Sequence, residues 1–177
     1  MKILLKSLFY MLLFIIIFIS FLPKEQLFYK AVNIAYENKI YLKNYKFKES
    51  LLLSNIKNTD IIYDGINIVN IKNIDAKLLF FYNNIDIKNI SIDDSLNSFI
   101  PSNIQSINIQ NNIMNPLFIK ATIKSKLYSV KINLDMVNMK INAVFKTSKF
   151  FRQKYPKLLK ELKYNKDIKD YTYEYKL

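Results

Sequence analysis

Two carboxylate clusters are the residues best suited to chemistry in this 177-residue chain: Asp93-Asp94, and Asp60 with Asp64. Paired acids can bind calcium through oxygen, or divide general-acid and general-base work between them. Asp60 and Asp64, however, lie beside the Asp64-Gly65 dipeptide, where Asp is favoured because it hydrogen-bonds nearby backbone. Asp93-Asp94-Ser95 reads in the same way, as a loop or helix cap after an isoleucine-rich strand. Turn chemistry accounts for both clusters, and no metal site is expected.

The remaining inventory removes most catalysis. The chain has no His, no Cys, no Trp and a single glycine, Gly65. No thiol nucleophile, disulfide, iron–sulfur cluster or Cys/His zinc site can form within it. Ser-His-Asp and Cys-His constellations both require histidine. A phosphate-cradling loop needs several glycines so that backbone amides can approach the ligand. A non-enzymatic role with no cofactor is expected.

Charge supplies the next candidates. Lys and Arg number 27 against 14 Asp and Glu, a formal charge of +13. Ile, Asn, Lys, Tyr and Phe are abundant and Arg152 is the sole arginine, so codon bias toward A and T inflates the lysine count. The excess is uneven: residues 1–50 carry net +5, residues 51–116 net −2 and residues 117–177 net +10. Lys149, Arg152, Lys157, Lys160 and Lys163 are the candidate contacts for an anionic partner. Lys157, Lys160 and Lys163 step around a helix opposite Leu158, Leu159 and Leu162. Anionic lipid, an acidic partner subunit, nucleic acid and a merely solvated face all fit this stripe. Direct nucleic-acid binding is not expected, because lysines offer point charges without bidentate base readout.

Phe80, Phe81 and Tyr82 are the candidate apolar groove or partner face. Neighbours in a strand point to opposite sides, so burying Phe80 leaves Phe81 needing a cover. A helix near 156–163 could supply that cover, and so could a lipid or a partner strand.

The elements that position these residues follow from periodicity. Ile3 to Leu22 is apolar apart from Lys6 and long enough to cross a membrane as a helix. No small-residue cleavage site follows it. Residues 1–23 are therefore expected to be a transmembrane signal anchor. Lys2 and Lys6 keep the N-terminus cytoplasmic, and the rest lies in the periplasm of a bacterial inner-membrane protein. Pro23 opens a short juxtamembrane helix over 24–38, with Leu27, Phe28, Ala31, Ile34 and Ala35 at helical spacing.

Residues 39–177 form the β domain. The period is two, but it slips in Ile85-x-Ile87-x-x-Ile90-x-Ile92 and in Ile104-x-x-Ile107-x-Ile109, which predicts bulged or bending strands. Asp64-Gly65 and Asn83-Asn84 are the expected turns. Further alternating runs cover Leu117–Ile123, Tyr128–Leu134 and Val137–Phe145, with a flip near Asp135-Met136. A basic helix near 156–163 and a C-terminal strand over 170–177 complete the domain. The expected fold is mainly β: an N-terminal transmembrane helix, then an extended antiparallel β meander of about eight strands, half-pipe or sandwich, with short flanking helices.

This order resembles the type II secretion system protein N family and the wider AsmA-like group of bacterial envelope proteins. The resemblance rests on the anchor, on Pro23-Lys24-Glu25-Gln26-Leu27, and on the meander that follows. In that meander Leu53-Ser-Asn-Ile56-Lys-Asn, Ile61-Ile-Tyr-Asp-Gly-Ile-Asn-Ile68 and Ala76-Lys-Leu-Leu-Phe80 correspond to successive strands. It covers most of residues 1 to 145, by pattern. It implies a non-catalytic accessory or scaffold component of a type II secretion-like, pilus-like or DNA-transformation machinery, partnered by the inner membrane and other machinery proteins. The AsmA-like side implies instead a membrane-anchored β-groove that binds or transfers phospholipid.

Overall fold

The computed structural model describes residues 6–11, 13–14, 17, 23–50, 52–79, 81–96, 101 and 104–176. Helix α1 (Lys24–Glu37) leads into β1 (Ile40–Lys43), β2 (Lys46–Glu49), β3 (Ser54–Tyr63), β4 (Ile66–Leu78) and β5 (Tyr82–Ile92). A 3-10 turn (Asp94–Leu96) precedes β6 (Ile104–Asn112), β7 (Asn115–Ser125), β8 (Tyr128–Asp135) and β9 (Lys140–Thr147). Helices α2 (Lys149–Lys154) and α3 (Pro156–Lys160) then lead to β10 (Lys163–Asn165) and β11 (Asp170–Lys176).

All eleven strands belong to one antiparallel sheet in the order β1-β3-β4-β5-β6-β7-β8-β9-β11-β10, with β2 also on β3. β1 and β2 share one register against β3, Lys43 facing Asp60 and Lys46 facing Lys57, so they are two halves of one edge strand. Among the described residues no pairing joins this edge to β10 at the far side. The strands thus form one continuous antiparallel sheet, and not two sheets packed as a sandwich. Eleven strands are found where about eight were expected; the edge strand is split into β1 and β2, and β10 pairs with the expected C-terminal strand, β11, as a hairpin.

Turns explain the hairpins. Asp64 and Gly65 between β3 and β4 have φ of 49° and 83°, the left-handed pattern of a tight hairpin turn. Asn83 and Asn84 do not form the next turn as expected; residues 79–81 lie between β4 and β5, and both asparagines belong to β5. The reason is tertiary. Asn84 is buried and spends its amide on Asp86 and Asn108, so cross-strand bonding outweighs its turn propensity.

The slipped periodicity marks a line across the sheet. Ladder pairing skips position 58 between Lys57↔Asn73 and Thr59↔Ile71, and skips 72 and 89 between Asn73↔Lys88 and Ile71↔Ile90. It skips 105 as well, between Lys88↔Ser106 and Ile90↔Ile104. Asn44, Asn58 and Asn89 on this line have φ of 59°, 55° and 56°. The left-handed Asn89 lets Ile87 and Ile90, three apart, share one face, and the Ile104-x-x-Ile107 step coincides with a ladder irregularity between Ile104 and Ser106. The bends that the sequence predicts in separate strands are thus one continuous feature.

The C-terminal helical segment also differs from expectation. Two short helices replace one, because Pro156 cannot continue α2 but suits the first turn of α3. Ser148 Oγ caps α2 by accepting the Phe151 N–H at 3.1 Å. Phe151, Tyr155 and Leu159 point onto Tyr128, Val130 and Ala143, and this is the main buried cluster. Ile123, Ile132, Phe145 and Tyr171 pack around it. Burial pushes the Tyr128 hydroxyl up to about 12, with Tyr155 adding to the effect.

Most of the expected anchor over 1–23 lies outside the described residues. Residues 6–11, 13, 14 and 17 are helical. Among the described residues no helix is long and apolar enough to cross a membrane.

Candidate functional site

Cross-strand register assembles a surface that no single segment shows. Ile56, Ile74, Ile87, Ile107, Ile123, Val130 and Phe145 are successive register partners from β3 to β9, one apolar row crossing seven strands. Phe47 on β2 and Tyr171 on β11 extend it at either end. The adjacent row on the same face reads Ala76, Ile85, Ile109, Ala121, Ile132, Ala143. Each strand contributes only one or two of these residues, and register turns them into a continuous field.

Helices cover the two ends of this face. At the N-terminal end Phe28 of α1 stacks on Phe47 with ring centroids 4.9 Å apart and meets Tyr45 edge-on at 5.3 Å. The start of α1 is tied down by Lys24, 2 % exposed, which donates to the Ser50 carbonyl at 3.1 Å and lies 3.6 Å from Glu49. At the other end α2 and α3 sit on β8 and β9 through the Phe151 cluster. The buried cluster reaches Ile123 and Ile132 and stops there. Ile74, Ile85, Ile87, Ile107 and Ile109 stay half-buried. From Ile56 to Ile123 the row spans four strand spacings, about 19 Å. The result is an apolar field on one face of the sheet, with a helix packed at each end.

The opposite face is polar and internally bonded. Asn55 Nδ2 donates to Asn73 Oδ1 at 2.7 Å and to Asp75 Oδ1 at 2.6 Å, and Asn73 Nδ2 donates to Asp75 Oδ2 at 2.7 Å. Asn108 repeats the pattern on Asn84 Oδ1 and Asp86 Oδ1 at 2.7 and 2.6 Å, with Asn84 Nδ2 on Asp86 Oδ2 at 2.7 Å. Burial pushes the Asp86 carboxyl up, but the Asn108 and Asn84 amides, with Lys88 and Lys77, hold it below its ordinary value. These bonds tie β3 to β4 and β5 to β6 across the polar face.

The carboxylates read as turn residues divide. Asp93 Oδ1 accepts both the backbone N–H and the hydroxyl of Ser95, which closes a turn and lowers its carboxyl. Asp64 occupies the hairpin. Asp60 instead lies within β3, where the Asn44 and Asn70 amides donate to it and lower its carboxyl. Among the described residues no group of three or more His, Cys, Asp or Glu could hold a metal ion.

The basic candidates do not form one stripe. Lys149, Lys157 and Lys160 are exposed on α2 and α3, whereas Lys163 has left the helix for β10. Arg152 turns inward. It donates to Thr147 Oγ1 at 2.9 Å, to the Lys169 carbonyl at 3.3 Å and to Asp170 Oδ1 at 3.2 Å, with its guanidinium 5.6 Å from the Tyr171 ring centre. It is a clamp between α2 and β11.

The aromatic candidates fall at the sheet's rim. Phe80 lies outside the described residues. Phe81 sits exposed in the 79–81 connection, so the strand argument for its face does not apply. Tyr82 begins β5 and borders a depression of about 320 Å³ with Asn112, Phe118 and Lys120, on the polar side of the sheet. The isoleucines that make the apolar field were visible as separate alternating runs. What the chain alone could not supply was their alignment.

Comparison with protein-family models, curated proteins and solved structures returns no match.

Proposed function

We propose that this protein is a non-catalytic, membrane-anchored β-groove protein that holds the acyl part of a phospholipid on the apolar face of its sheet, in the AsmA-like manner. The observation that carries this reading is the unbroken register row from Ile56 to Ile123, half-buried between the helices at its ends. An apolar field of this extent on a single sheet needs a partner that is itself apolar. Membrane attachment supplies one. Leu8, Phe9, Tyr10, Met11 and Phe14 lie in helical conformation with 56–67 % of their surface exposed, which suits a signal anchor in a bacterial inner membrane. Leu27 and Ile34 of α1, exposed by 45 and 53 %, continue an apolar stripe away from the sheet beside it. The N-terminus is then cytoplasmic and the sheet periplasmic.

The test is mass spectrometry of full-length protein purified in mild detergent, reading lipids and proteins from one sample. Phospholipid at a fixed ratio to protein is expected. It should be lost in Ile87→Gln/Ile107→Gln protein that keeps its strand signal in circular dichroism. Lipid content no different from a detergent-exchange control, in protein of normal fold, overturns the reading.

A second reading is an accessory scaffold of a secretion-like, pilus-like or DNA-transformation machine. It is favoured by residues 173–176 of β11, which pair with β9 on one side while β10 reaches only Thr172 on the other. That open edge could accept a partner strand. Machine subunits at defined stoichiometry in the same sample, without lipid, would favour it.

A further inference from the structure

The outward side of the C-terminal helices is not used by the apolar field. Phe151, Tyr155 and Leu159 face the sheet, which leaves Lys149, Phe150, Gln153, Lys154, Lys157 and Lys160 exposed. Phe150 shows 57 % of its surface, although an inward position one residue on is filled by Phe151. No Asp or Glu occurs between Met136 and Lys160. The one arginine of the segment is removed from this side by its clamp on Asp170. What remains exposed along these two helices includes one aromatic ring, Phe150, and four lysines. Lys154 leans along the Tyr155 ring, its Nζ 5.5 Å from the ring centre, with its charge still at the surface.

We infer that this face docks on an anionic lipid bilayer, with Phe150 entering the headgroup region and the four lysines meeting lipid phosphates. An exposed apolar side chain together with four exposed lysines, on two short helices whose other side is buried, matches the two-part logic of peripheral membrane attachment. The exposed phenyl ring favours lipid over duplex nucleic acid, because lysines alone suffice for a phosphate backbone whereas headgroup insertion uses an apolar side chain. The contact concerns a surface separate from the apolar field, and stands whether or not that field holds lipid.

Because the chain lacks tryptophan, Phe150→Trp creates a single fluorescent reporter at this position. Full-length Phe150→Trp protein is incorporated into vesicles of neutral phosphatidylcholine, or of phosphatidylcholine with phosphatidylglycerol, and flotation confirms incorporation. With phosphatidylglycerol present, blue-shifted emission and quenching by brominated acyl chains are expected; in neutral vesicles the emission stays solvent-like. Each Lys→Gln change at 149, 154, 157 or 160 should lower the engaged fraction's equilibrium constant roughly five-fold. All four positions are exposed, and circular dichroism checks that the fold is kept. Solvent-like emission in both vesicle types overturns the inference, as does quenching that ignores the lysine changes. A shift produced by random duplex DNA and not by anionic vesicles reassigns the face to nucleic acid and overturns it too.

Discussion

Asp75 and Asp86 stand directly opposite one another across β4 and β5, in register, near the middle of the sheet's polar face. Like charges so placed repel. Each is held by two asparagine amides, Asn55 and Asn73 for one, Asn108 and Asn84 for the other, in an arrangement nearly symmetric about the β4–β5 boundary. Asn108→Ala removes donors from both Asn84 Oδ1 and Asp86 Oδ1. A loss of about 1–3 kcal/mol is expected in urea unfolding, with the slope unchanged.

The same network fixes a pH dependence. Asp86 and Asp60 both have folded values below their unfolded 3.8. A depressed carboxylate contributes stability that is fully present above the unfolded value and lost as pH falls through the folded one. The unfolding midpoint should therefore be flat above about pH 5 and drop below 3.8. Asp86→Asn should shrink that drop; an unchanged acid limb would count against the assignment.

Arg152 is expected to behave as a structural residue. Arg152→Lys keeps the charge but cannot span Thr147, the Lys169 carbonyl and Asp170 together. A cost of about 1–3 kcal/mol follows. Thermal melting should show it as a fall of roughly 2–4 °C per kcal/mol for a chain of this size.

Thr59 presents the reverse case. It is fully buried on β3, beside the bend, and among the described residues its hydroxyl has no hydrogen-bond partner. Thr59→Val replaces that hydroxyl with a methyl of the same shape. Stability should rise by about 1 kcal/mol, read as a higher denaturant midpoint.

The bend itself is testable at Asn89. With φ of 56° the position tolerates Asn or Gly but opposes a β-branched side chain. Asn89→Gly should be nearly neutral, whereas Asn89→Val should cost about 1–2 kcal/mol. Equal effects of the two would mean that the left-handed conformation is not maintained in solution.

By itself the sequence determined the class of this protein: mainly β, antiparallel, without the residues for thiol, imidazole or phosphate-loop chemistry. Alternating isoleucines encode which side of each strand is apolar, and the three-residue slips at Ile87–Ile90 and Ile104–Ile107 encode where strands bend, because both are local properties of one segment. Asp64-Gly65 and the helix after Pro23 were legible for the same reason. Only the tertiary structure decided what depends on partners distant in the chain. Asn84 became a strand residue because Asn108 and Asp86 offered it better bonds than a turn. Arg152 left the basic surface because Asp170, eighteen residues away, captured it. The apolar row exists because register aligns one apolar residue from each strand, and register is set between strands, not within them.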